Sequence, residues 1–192
     1  MLKELKNQKM TFYQEWGEII DNFKFLKCII IWIPFNEAWG QFDTEQVAEF
    51  TNKKDPLRLL TPASGGNHRL CGNIVDRHNY PGPIQTFKID SLINVLGEYG
   101  GLALEINEHI WKQDNWGYAV LGSKEELTQR YIQLIDEIIG YIWKGISAAI
   151  YTQTTDVESK INGLLTYDRE VTKVFERRIR AANEKIIYSL KD

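Results

Sequence analysis

Two apolar, strand-like segments of this sequence end abruptly in a carboxylate. Residues 33–35 run into Asn36 and Glu37, and residues 95–97 run into Glu98. In parallel α/β folds, ligands and chemistry gather at the carboxyl ends of the strands. A charge at such a strand end is costly unless it is paired or used. The two segments therefore predict a parallel α/β fold with a polar site at its strand ends.

The rest of the chain alternates short apolar runs with longer amphipathic stretches, which is typical of parallel α/β proteins. The predicted helices are Thr11–Phe23, a helix starting at an Asp43 cap with Gln46 as its return partner, Lys124–Trp143 preceded by a capping box of Ser123 and Glu126, and a helix from about Glu170 whose stripe runs from Val171 to Leu190. The predicted strands are Cys28–Phe35, Leu57–Thr61, Asn73–His78, Asn94–Tyr99 and Ser147–Gln153. The first of them is almost wholly apolar, as expected of a strand buried on both faces. The sequence contains no repeat and no linker, so residues 1–192 are expected to form one domain.

The number of strands limits the architecture. A complete (β/α)8 barrel has eight strands and about 250 residues, whereas five strands are readable in 192 residues. We therefore expect a partial TIM barrel, made of strands four to eight with their helices and lacking the first three strands. An incomplete parallel barrel exposes apolar strand edges that pair readily with other chains. This predicts either a homo-oligomer or N-terminal domains that this chain lacks.

Composition excludes several other functions. A net charge of −3 gives no basic surface for nucleic acid, and no run of 18 apolar residues is present to span a membrane. Cys28 and Cys71 share no C-x-x-C spacing, so free thiols are expected and a metal site is not. The first ten residues lack the apolar stretch of a secretory signal. A cytoplasmic location is the default, while a periplasmic or secreted longer parent stays open.

Two carboxylates at the ends of nearby strands suit the cleavage of a glycosidic bond. One protonates the leaving oxygen, and the other attacks the anomeric carbon or activates a water. These roles require different environments, so that one carboxyl is protonated while the other is ionised. The competing interpretation is a structural carboxylate bound to an arginine such as Arg69 or Arg77. The combination of Asn-Glu-x-Trp-Gly with Gly-Glu-Tyr-Gly-Gly favours catalysis.

Six motifs carry a resemblance to a known family: WIPFNEAWGQ at 32–41, PASGG at 62–66, HNYPG at 78–82, GEYGG at 97–101, YTQTTDVE at 151–158, and NG-x-x-TYDR at 162–169. From Trp16 onward, the chain resembles the C-terminal part of the catalytic barrel of glycoside hydrolase family 2. That family includes β-galactosidases, β-glucuronidases and β-mannosidases. The resemblance implies hydrolysis of terminal β-glycosidic bonds in a carbohydrate substrate, with no cofactor required.

The resemblance also assigns roles to residues. Glu37 matches the general acid/base, and Asn36 matches the residue that hydrogen-bonds the sugar 2-hydroxyl. Glu98 matches the nucleophile of a retaining mechanism, in which the two carboxyls lie about 5 to 5.5 Å apart. Tyr80 is a weaker match to a tyrosine that steadies the nucleophile.

Four further residues are expected to bind the sugar: Trp39, His78, Asn79 and Gln153. For His78 and Asn79, a structural role in a hydrogen-bonded loop is an equally good interpretation as a contact with the sugar. Gln153 and Asp156 end the last strand and are both expected to line the site, at a strand end where many family members carry a tryptophan. For Trp111 and Trp116 sugar stacking is an alternative, but packing under the barrel rim is the interpretation we favour. His68 is expected to be a loop residue.

Two departures from the family predict that turnover by this chain alone is impaired, and they raise alternatives to an active enzyme. Residues 25–28 replace an Asn-His-Pro-Ser-Ile-like turn, and the early strands that supply sugar-binding groups have no counterpart. One alternative is a non-catalytic fragment that binds carbohydrate or associates with itself. Another is a different barrel glycosidase, acting on internal bonds, that also places its two carboxylates on strands four and seven.

Overall fold

The computed structural model describes residues 2–84 and 89–189, with side chains from residue 5 onward. Four helices are described: α1 (Leu2–Phe23), α2 (Thr44–Lys54), α3 (Lys124–Ile142) and α4 (Glu176–Tyr188). Seven strands are described: β1 (Ile31–Trp32), β2 (Leu59–Leu60), β3 (Ile74–Asn79), β4 (Ile93–Gly100), β5 (Leu102–Ala103), β6 (Ala119–Val120) and β7 (Ile146–Thr152). None of the described helices is long and apolar enough to cross a membrane.

The strands form three small sheets. β1 pairs with β2, β5 pairs with β6, and a three-stranded sheet has the order β3-β4-β7. The β1–β2, β4–β7 and β5–β6 pairs are parallel. The prediction of a mixed α/β fold with parallel strands is therefore confirmed. Within the described residues these sheets do not close into a barrel, so the partial TIM barrel is not confirmed.

The chain folds as two compact units. The first contains the described residues up to Asp76 together with Ile89–Ile93, and the second contains the described part of 77–88 and the chain from Asn94 onward. In the first unit, α1 and α2 cover the β1–β2 pair. The buried cluster there consists of Ile20, Trp32, Ala48 and Leu60. Burial of these apolar side chains, at roughly 25 cal/mol per Å², is the main stabilising term for this layer.

A buried carboxylate closes the turn that follows α2. Asp55 accepts hydrogen bonds from Trp32 Nε1 (2.9 Å) and from the Arg58 guanidinium (2.6 Å). Arg58 also donates to the carbonyls of Ile29 (2.8 Å) and Leu26 (3.0 Å). Burial alone would raise the pKa of Asp55, but hydrogen bonds from Trp32, a backbone amide and Arg58 hold that pKa below its usual range. The ion pair thus joins this turn to the loop after α1.

The core of the second unit lies between α3, α4 and the sheet. Leu127, Leu134 and Ile138 of α3 are fully buried and contact Ile179 and Ala182 of α4. Together with buried Tyr131, these α3 residues recur at spacings of four, three and four, which places them on one helix face. α4 is thereby fixed along α3, close to the last strand of the sheet.

A fully buried lysine sits in the connection that leads into α4. Lys173 Nζ donates to both carboxylate oxygens of Asp156 (2.8 and 3.0 Å) and to the carbonyls of Leu104 and Ile161 (2.9 Å each). The backbone N–H of Gly163 also donates to Asp156 (2.7 Å). Burial raises the pKa of Asp156 and lowers that of Lys173, and their mutual attraction opposes both shifts. The ammonium therefore holds three segments of the second unit together.

Several predicted element boundaries are wrong. The first helix begins at Leu2 rather than Thr11, and the run 28–35 contributes only the two-residue strand β1. Ile30 and Ile33 are exposed, so this run is not buried on both faces as predicted. Pro34 has no N–H to donate to a ladder, which prevents the strand from continuing. The final helix begins at Glu176 instead of about residue 170, and the predicted stripe position Leu190 lies outside the described residues.

The starts of α2 and α3 were predicted correctly in position, but their capping contacts differ in part from those predicted. Asp43 is the N-cap of α2, but it makes no capping hydrogen bond, and its carboxylate pairs with Lys9 at 2.6 Å. Ser123 caps α3 as predicted by accepting from the N–H of Glu126 (3.1 Å). In a capping box, the Glu126 carboxylate would accept from the N–H of the cap residue Ser123. Here it accepts instead from the N–H of Gly122, one residue earlier (2.7 Å).

The buried ion pair predicts a large stability difference between two lysines. Replacing Lys173 by Met leaves Asp156 buried without its counter-charge, so we expect a loss of about 3 to 5 kcal/mol in the free energy of unfolding. Lys185 is a matched control because its pair with Asp136 is exposed, and Lys185→Met should cost at most about 1 kcal/mol. Urea denaturation measures both variants. Adding Asp156→Asn to Lys173→Met should recover part of the loss, and equal losses for the two lysines would contradict this interpretation.

A half-buried histidine–aspartate pair predicts a pH dependence of stability. His109 Nδ1 lies 2.7 Å from Asp168 Oδ2. This hydrogen bond raises the pKa of His109 above its ordinary 6.5, while hydrogen bonds from Thr166 and His109 lower the pKa of Asp168 to about 2. The stabilisation by the pair is therefore complete between about pH 3.8 and 6.5. It is lost as the pH rises through the raised pKa of His109, and as the pH falls through the lowered pKa of Asp168.

We expect the melting temperature of the His109→Gln variant to fall furthest below that of wild type at mildly acidic pH, with the gap narrowing at alkaline pH. Differential scanning calorimetry across this range measures the gap. His68→Gln, which removes a histidine from the other unit, is the control. A gap that does not change with pH would show that the pair contributes no charge-dependent stability.

Candidate active site

Glu98 is the carboxylate near the end of β4, in the second unit. Its side chain is 28% exposed, and the hydroxyl of Tyr80 donates a hydrogen bond to its Oε2. His78 Nδ1 lies 3.6 Å from the same oxygen, which is too long for a hydrogen bond. The His78 side chain is only 6% exposed. The structure thus brings together three of the residues that the sequence singled out.

Tyr80 is held as a hydrogen-bond donor. Its burial, followed by its hydrogen bond to Glu98, raises its pKa well above the ordinary value of 10.0. The phenol therefore keeps its proton at neutral pH. The Tyr80–Pro81 peptide bond is cis, and the side-chain amide of Asn79 donates to the carbonyl of Gly82 (2.6 Å) across this turn. Asn79 thus makes the loop hydrogen bond that was one of its two predicted roles.

Two consecutive glycines follow Glu98 and Tyr99, and both positions require glycine. Gly100 has a φ of +102°, and a Cβ there would lie 2.4 Å from the ring of Tyr151. Gly101 has a φ of +66°, and a Cβ there would lie 2.4 Å from the ring of Tyr118 and 2.9 Å from that of Tyr80. Positive φ and these distances exclude any other residue without rearrangement. The missing side chains leave room for aromatic rings beside the carboxylate.

An aromatic stack extends outward from Tyr80. The rings of Tyr80 and Tyr118 are parallel within 2°, with centroids 3.9 Å apart. Trp116 meets Tyr118 edge-on at 5.3 Å, and Lys160 Nζ lies 5.1 Å from the Trp116 ring and 5.4 Å from the Tyr118 ring. Trp116 is therefore not packed under a rim as favoured above, because it is about half exposed and belongs to this stack. Sequence reasoning missed both Tyr118 and Lys160.

The end of β7 lies in the same unit. The peptide bond between Thr152 and Gln153 is cis, and Gln153 Nε2 is buried without a hydrogen-bond partner among the described residues. An unsatisfied donor of this kind needs an explanation, and a ligand oxygen is one. Asp156 does not line the site as the sequence suggested, because it is buried and bound by Lys173.

Asn36 and Glu37 follow β1 in the first unit. Asn36 forms an isolated parallel bridge with Ser64, and the N–H of Glu37 donates to the carbonyl of Ser64 (2.8 Å). The Ser64 hydroxyl in turn donates to the buried carboxylate of Asp76. Glu37 and Ala38 both have positive φ, at 51° and 65°. Non-glycine residues rarely adopt this conformation, and where they do it is concentrated at functional sites.

The residues around Glu37 are more exposed to solvent than those around Glu98. Trp39 is 80% exposed, and its N–H donates to the carbonyl of Asn36 (2.9 Å). Gln41 fixes the loop by donating to Thr44 Oγ1 (2.8 Å) and to the carbonyl of Asn67 (3.1 Å). Arg69, one of the arginines proposed to neutralise a strand-end glutamate, lies 3.7 Å from Glu45 instead.

A second group of titratable side chains lies away from Glu98. Atoms of His109, Asp168 and Glu170 capable of binding a metal lie within 4.8 Å of one another. Both oxygens of Asp168 are already occupied, one by His109 and the other by the Thr166 hydroxyl and the N–H of Glu170. This geometry is that of a hydrogen-bonded turn. Nearby, Trp111 is 60% exposed and meets Tyr167 edge-on, so it too is not packed under a rim.

Comparison with known proteins gives likenesses in structure. No protein-family model matches the sequence, and no curated protein matches it significantly. A β-glucuronidase from Faecalibacterium prausnitzii matches 91% of this chain with a TM-score of 0.62 and 16% identity. An FMN-binding β-glucuronidase from F. prausnitzii L2-6 matches 85% (TM-score 0.52, 17% identity), and Bifidobacterium dentium β-glucuronidase complexed with coumarin-3-O-glucuronide matches 84% (TM-score 0.52, 16% identity).

These matches concern only part of each larger protein. The chain spans 35%, 29% and 31% of the three matched chains, or about a third of their length. At such low identity the likeness shows the fold alone. The mixed α/β fold of this chain is thus related to part of the β-glucuronidase fold, which belongs to glycoside hydrolases.

Proposed function

We propose that this chain carries the catalytic carboxylates of a retaining β-glycosidase of the glycoside hydrolase family 2 type, with Glu98 as nucleophile and Glu37 as general acid/base. In this mechanism one carboxylate attacks the anomeric carbon while a carboxylic acid protonates the departing oxygen. The second residue then acts as a base toward water, which releases the sugar with its configuration retained. No metal or organic cofactor takes part in these steps.

The observation that carries the proposal is the hydrogen bond from Tyr80 to Glu98. A nucleophilic carboxylate must be ionised and correctly oriented, and a phenol that keeps its proton both orients it and stabilises its charge. Glu98 also retains an exposed fraction, so a substrate can reach it. A purely structural carboxylate at a strand end needs neither feature.

The backbone around Glu37 supports its assignment as the acid/base. Two consecutive residues in the left-handed region turn the chain sharply directly after Asn36. Such a conformation is maintained only where the surrounding hydrogen bonds enforce it, and here the bridge to Ser64 and its contact with Asp76 do so. Asn36 would hydrogen-bond the sugar 2-hydroxyl, and Trp39 offers an exposed ring face to a sugar.

The substrate class proposed is a carbohydrate with a terminal β-linked sugar. The three related structures are β-glucuronidases, so an aryl β-glucuronide is the first substrate to examine, followed by the corresponding galactoside and mannoside. Two groups of the second unit are proposed to bind sugar hydroxyls: the side-chain Nε2 of Gln153, which has no hydrogen-bond partner among the described residues, and the buried imidazole of His78. Each offers polar atoms suited to a hydroxyl.

Release of the phenol from these aryl β-glycosides tests the two assignments. Glu98→Gln should abolish turnover because the amide cannot attack the anomeric carbon. Glu37→Ala should slow turnover by about 10² to 10⁴-fold, since it removes general acid/base catalysis. Added azide should restore part of the Glu37→Ala rate and yield a β-glycosyl azide, because this small anion attacks the glycosyl-enzyme without needing a base.

Two exposed glutamates serve as matched controls for these variants. Glu184 lies on α4 and Glu49 on α2, and their replacement by Gln should leave the rate unchanged. Wild-type turnover in the Glu98→Gln variant, or failure of a folded wild-type chain to cleave any of the three glycosides, would overturn the proposal.

One feature of the second unit favours the alternative of a self-associating fragment. β7 is the last strand in the order β3-β4-β7, and no described strand pairs with its outer edge. Ser147, Ala148 and Ile150 of this strand are exposed, and its seven residues carry no charge. An uncharged, exposed edge is a site for pairing with another chain.

Sedimentation velocity tests this alternative. If β7 mediates self-association, the wild-type chain sediments as a dimer or larger species, and Ile150→Lys shifts it to the monomer because edge charges oppose strand pairing. Ile187→Lys, at an exposed position on α4, is the control for added charge. A wild-type chain that is monomeric at all concentrations would rule the alternative out.

A further inference from the structure

The ring of Tyr118 covers one face of Tyr80, the residue that binds Glu98. With a centroid separation of 3.9 Å and an angle of 2°, the two rings are stacked in parallel. A phenol ring can rotate about its side-chain torsions and swing its hydroxyl away from an acceptor. A second ring stacked on one face of the Tyr80 ring restricts this rotation.

Tyr118 can act as a support only if it is itself fixed, and its backbone is hydrogen-bonded on both sides. The N–H of Tyr118 donates to the carbonyl of Gly101 (3.1 Å), and β6 continues this pairing against β5. Upstream, the N–H of Trp116 donates to the carbonyl of Ser159 (2.8 Å), and the N–H of Ile161 donates to the carbonyl of Trp116 (2.9 Å).

Two glycines permit this close approach. A Cβ at Gly101 would lie 2.4 Å from the Tyr118 ring, and a Cβ at Gly117 would lie 2.2 Å from the Cβ of Ala103. Both distances are far below van der Waals contact. The backbone just before Tyr118 therefore packs closely against Ala103 of β5, and Trp116 binds it to residues 159–161.

We propose that Tyr118 is a positioning residue, which holds the Tyr80 hydroxyl on the carboxylate of Glu98. The proposal rests on the function proposed above, since it concerns the orientation of the nucleophile. Tyr118 acts through Tyr80 and takes no part in bond making. Lys160 and Trp116 contact Tyr118 from its outer side and limit its movement away from Tyr80.

The Tyr80 hydroxyl proton provides a test that does not depend on hydrolysis. A phenol donating to a carboxylate gives a downfield proton resonance in NMR spectra, and loss of the signal in Tyr80→Phe and its displacement in Glu98→Gln assign it. We expect Tyr118→Leu to abolish or broaden this resonance and Tyr118→Phe, which keeps the stacked ring, to retain it. Tyr167→Leu, which removes an aromatic contact with Trp111 elsewhere in the unit, is the control and should leave it unchanged.

Kinetics of the double variant separate positioning from direct substrate contact. Tyr80→Phe should lower kcat by about 10- to 100-fold, as expected for loss of a hydrogen bond to a charged group, and Tyr118→Leu by about 2- to 10-fold, as expected for loss of an aromatic pair. If Tyr118 acts only through Tyr80, combining the two changes should reduce kcat no further than Tyr80→Phe alone, with KM unaffected by Tyr118→Leu.

The possible failures are distinguishable. A hydroxyl resonance that persists in Tyr118→Leu, or that is missing from wild type, overturns the positioning role whether or not the chain hydrolyses glycosides. Additive losses of kcat in the double variant, or an effect of Tyr118→Leu on KM alone, overturn it as well. A wild-type chain that shows the resonance but cleaves no glycoside overturns the proposed function, and with it the catalytic purpose of the contact.

Discussion

The ammonium group of Lys173 is the contact on which the second unit depends. It is fully buried and binds the Asp156 carboxylate together with two backbone carbonyls, one from Leu104 beside β5 and the other from Ile161. Burying an isolated charge costs a large part of the folding free energy. The segments that contain Leu104, Asp156 and Ile161 must therefore stay around the ammonium group for the chain to remain folded. Ile161 in turn is hydrogen-bonded to Trp116. Residues 159–161 are therefore bound on one side by Lys173 and on the other by Trp116. This links the position of the aromatic stack beside the candidate nucleophile to the ion pair between Lys173 and Asp156.

Both candidate catalytic glutamates lie where the backbone adopts unusual conformations. Glu98 is followed by two glycines with positive φ whose absent side chains make room for the rings of Tyr80, Tyr118 and Tyr151. Glu37 itself has a positive φ. Glycine adopts a positive φ without steric strain, whereas the positive φ of Glu37 costs folding free energy and is maintained by the hydrogen bonds around it. Such an arrangement orients a side chain at the expense of stability, as expected of a site selected for chemistry.

Sequence reasoning succeeded where a local pattern determines the outcome. The α/β class, the start of α3 at Lys124 and the strand that leads to Glu98 could all be predicted, because periodicity and capping act over a few residues. The aromatic stack could not, because Tyr118 reaches Tyr80 only through tertiary pairing of β5 with β6. The Gly100-Gly101 pair was the available signal, since consecutive glycines after a strand indicate a close approach by other groups.

The errors have physical causes that are equally specific. Asp156 was interpreted as a site residue because it follows a strand, but its partner Lys173 is seventeen positions away and could not be identified from spacing. The apolar run before Asn36 was interpreted as a fully buried strand, whereas Ile30 and Ile33 are exposed. Hydrophobicity alone does not distinguish a strand buried on both faces from an apolar run that stays exposed.

The most direct test of the central claim is to trap the covalent intermediate. A 2-deoxy-2-fluoro aryl β-glycoside reacts with the nucleophile of a retaining enzyme but is released slowly, so the adduct accumulates even where turnover is weak. The account predicts that mass spectrometry finds one fluorosugar per chain, attached to the peptide that contains Glu98, and none in the Glu98→Gln variant. An adduct on another carboxylate, or product of inverted configuration from the natural sugar, would contradict it.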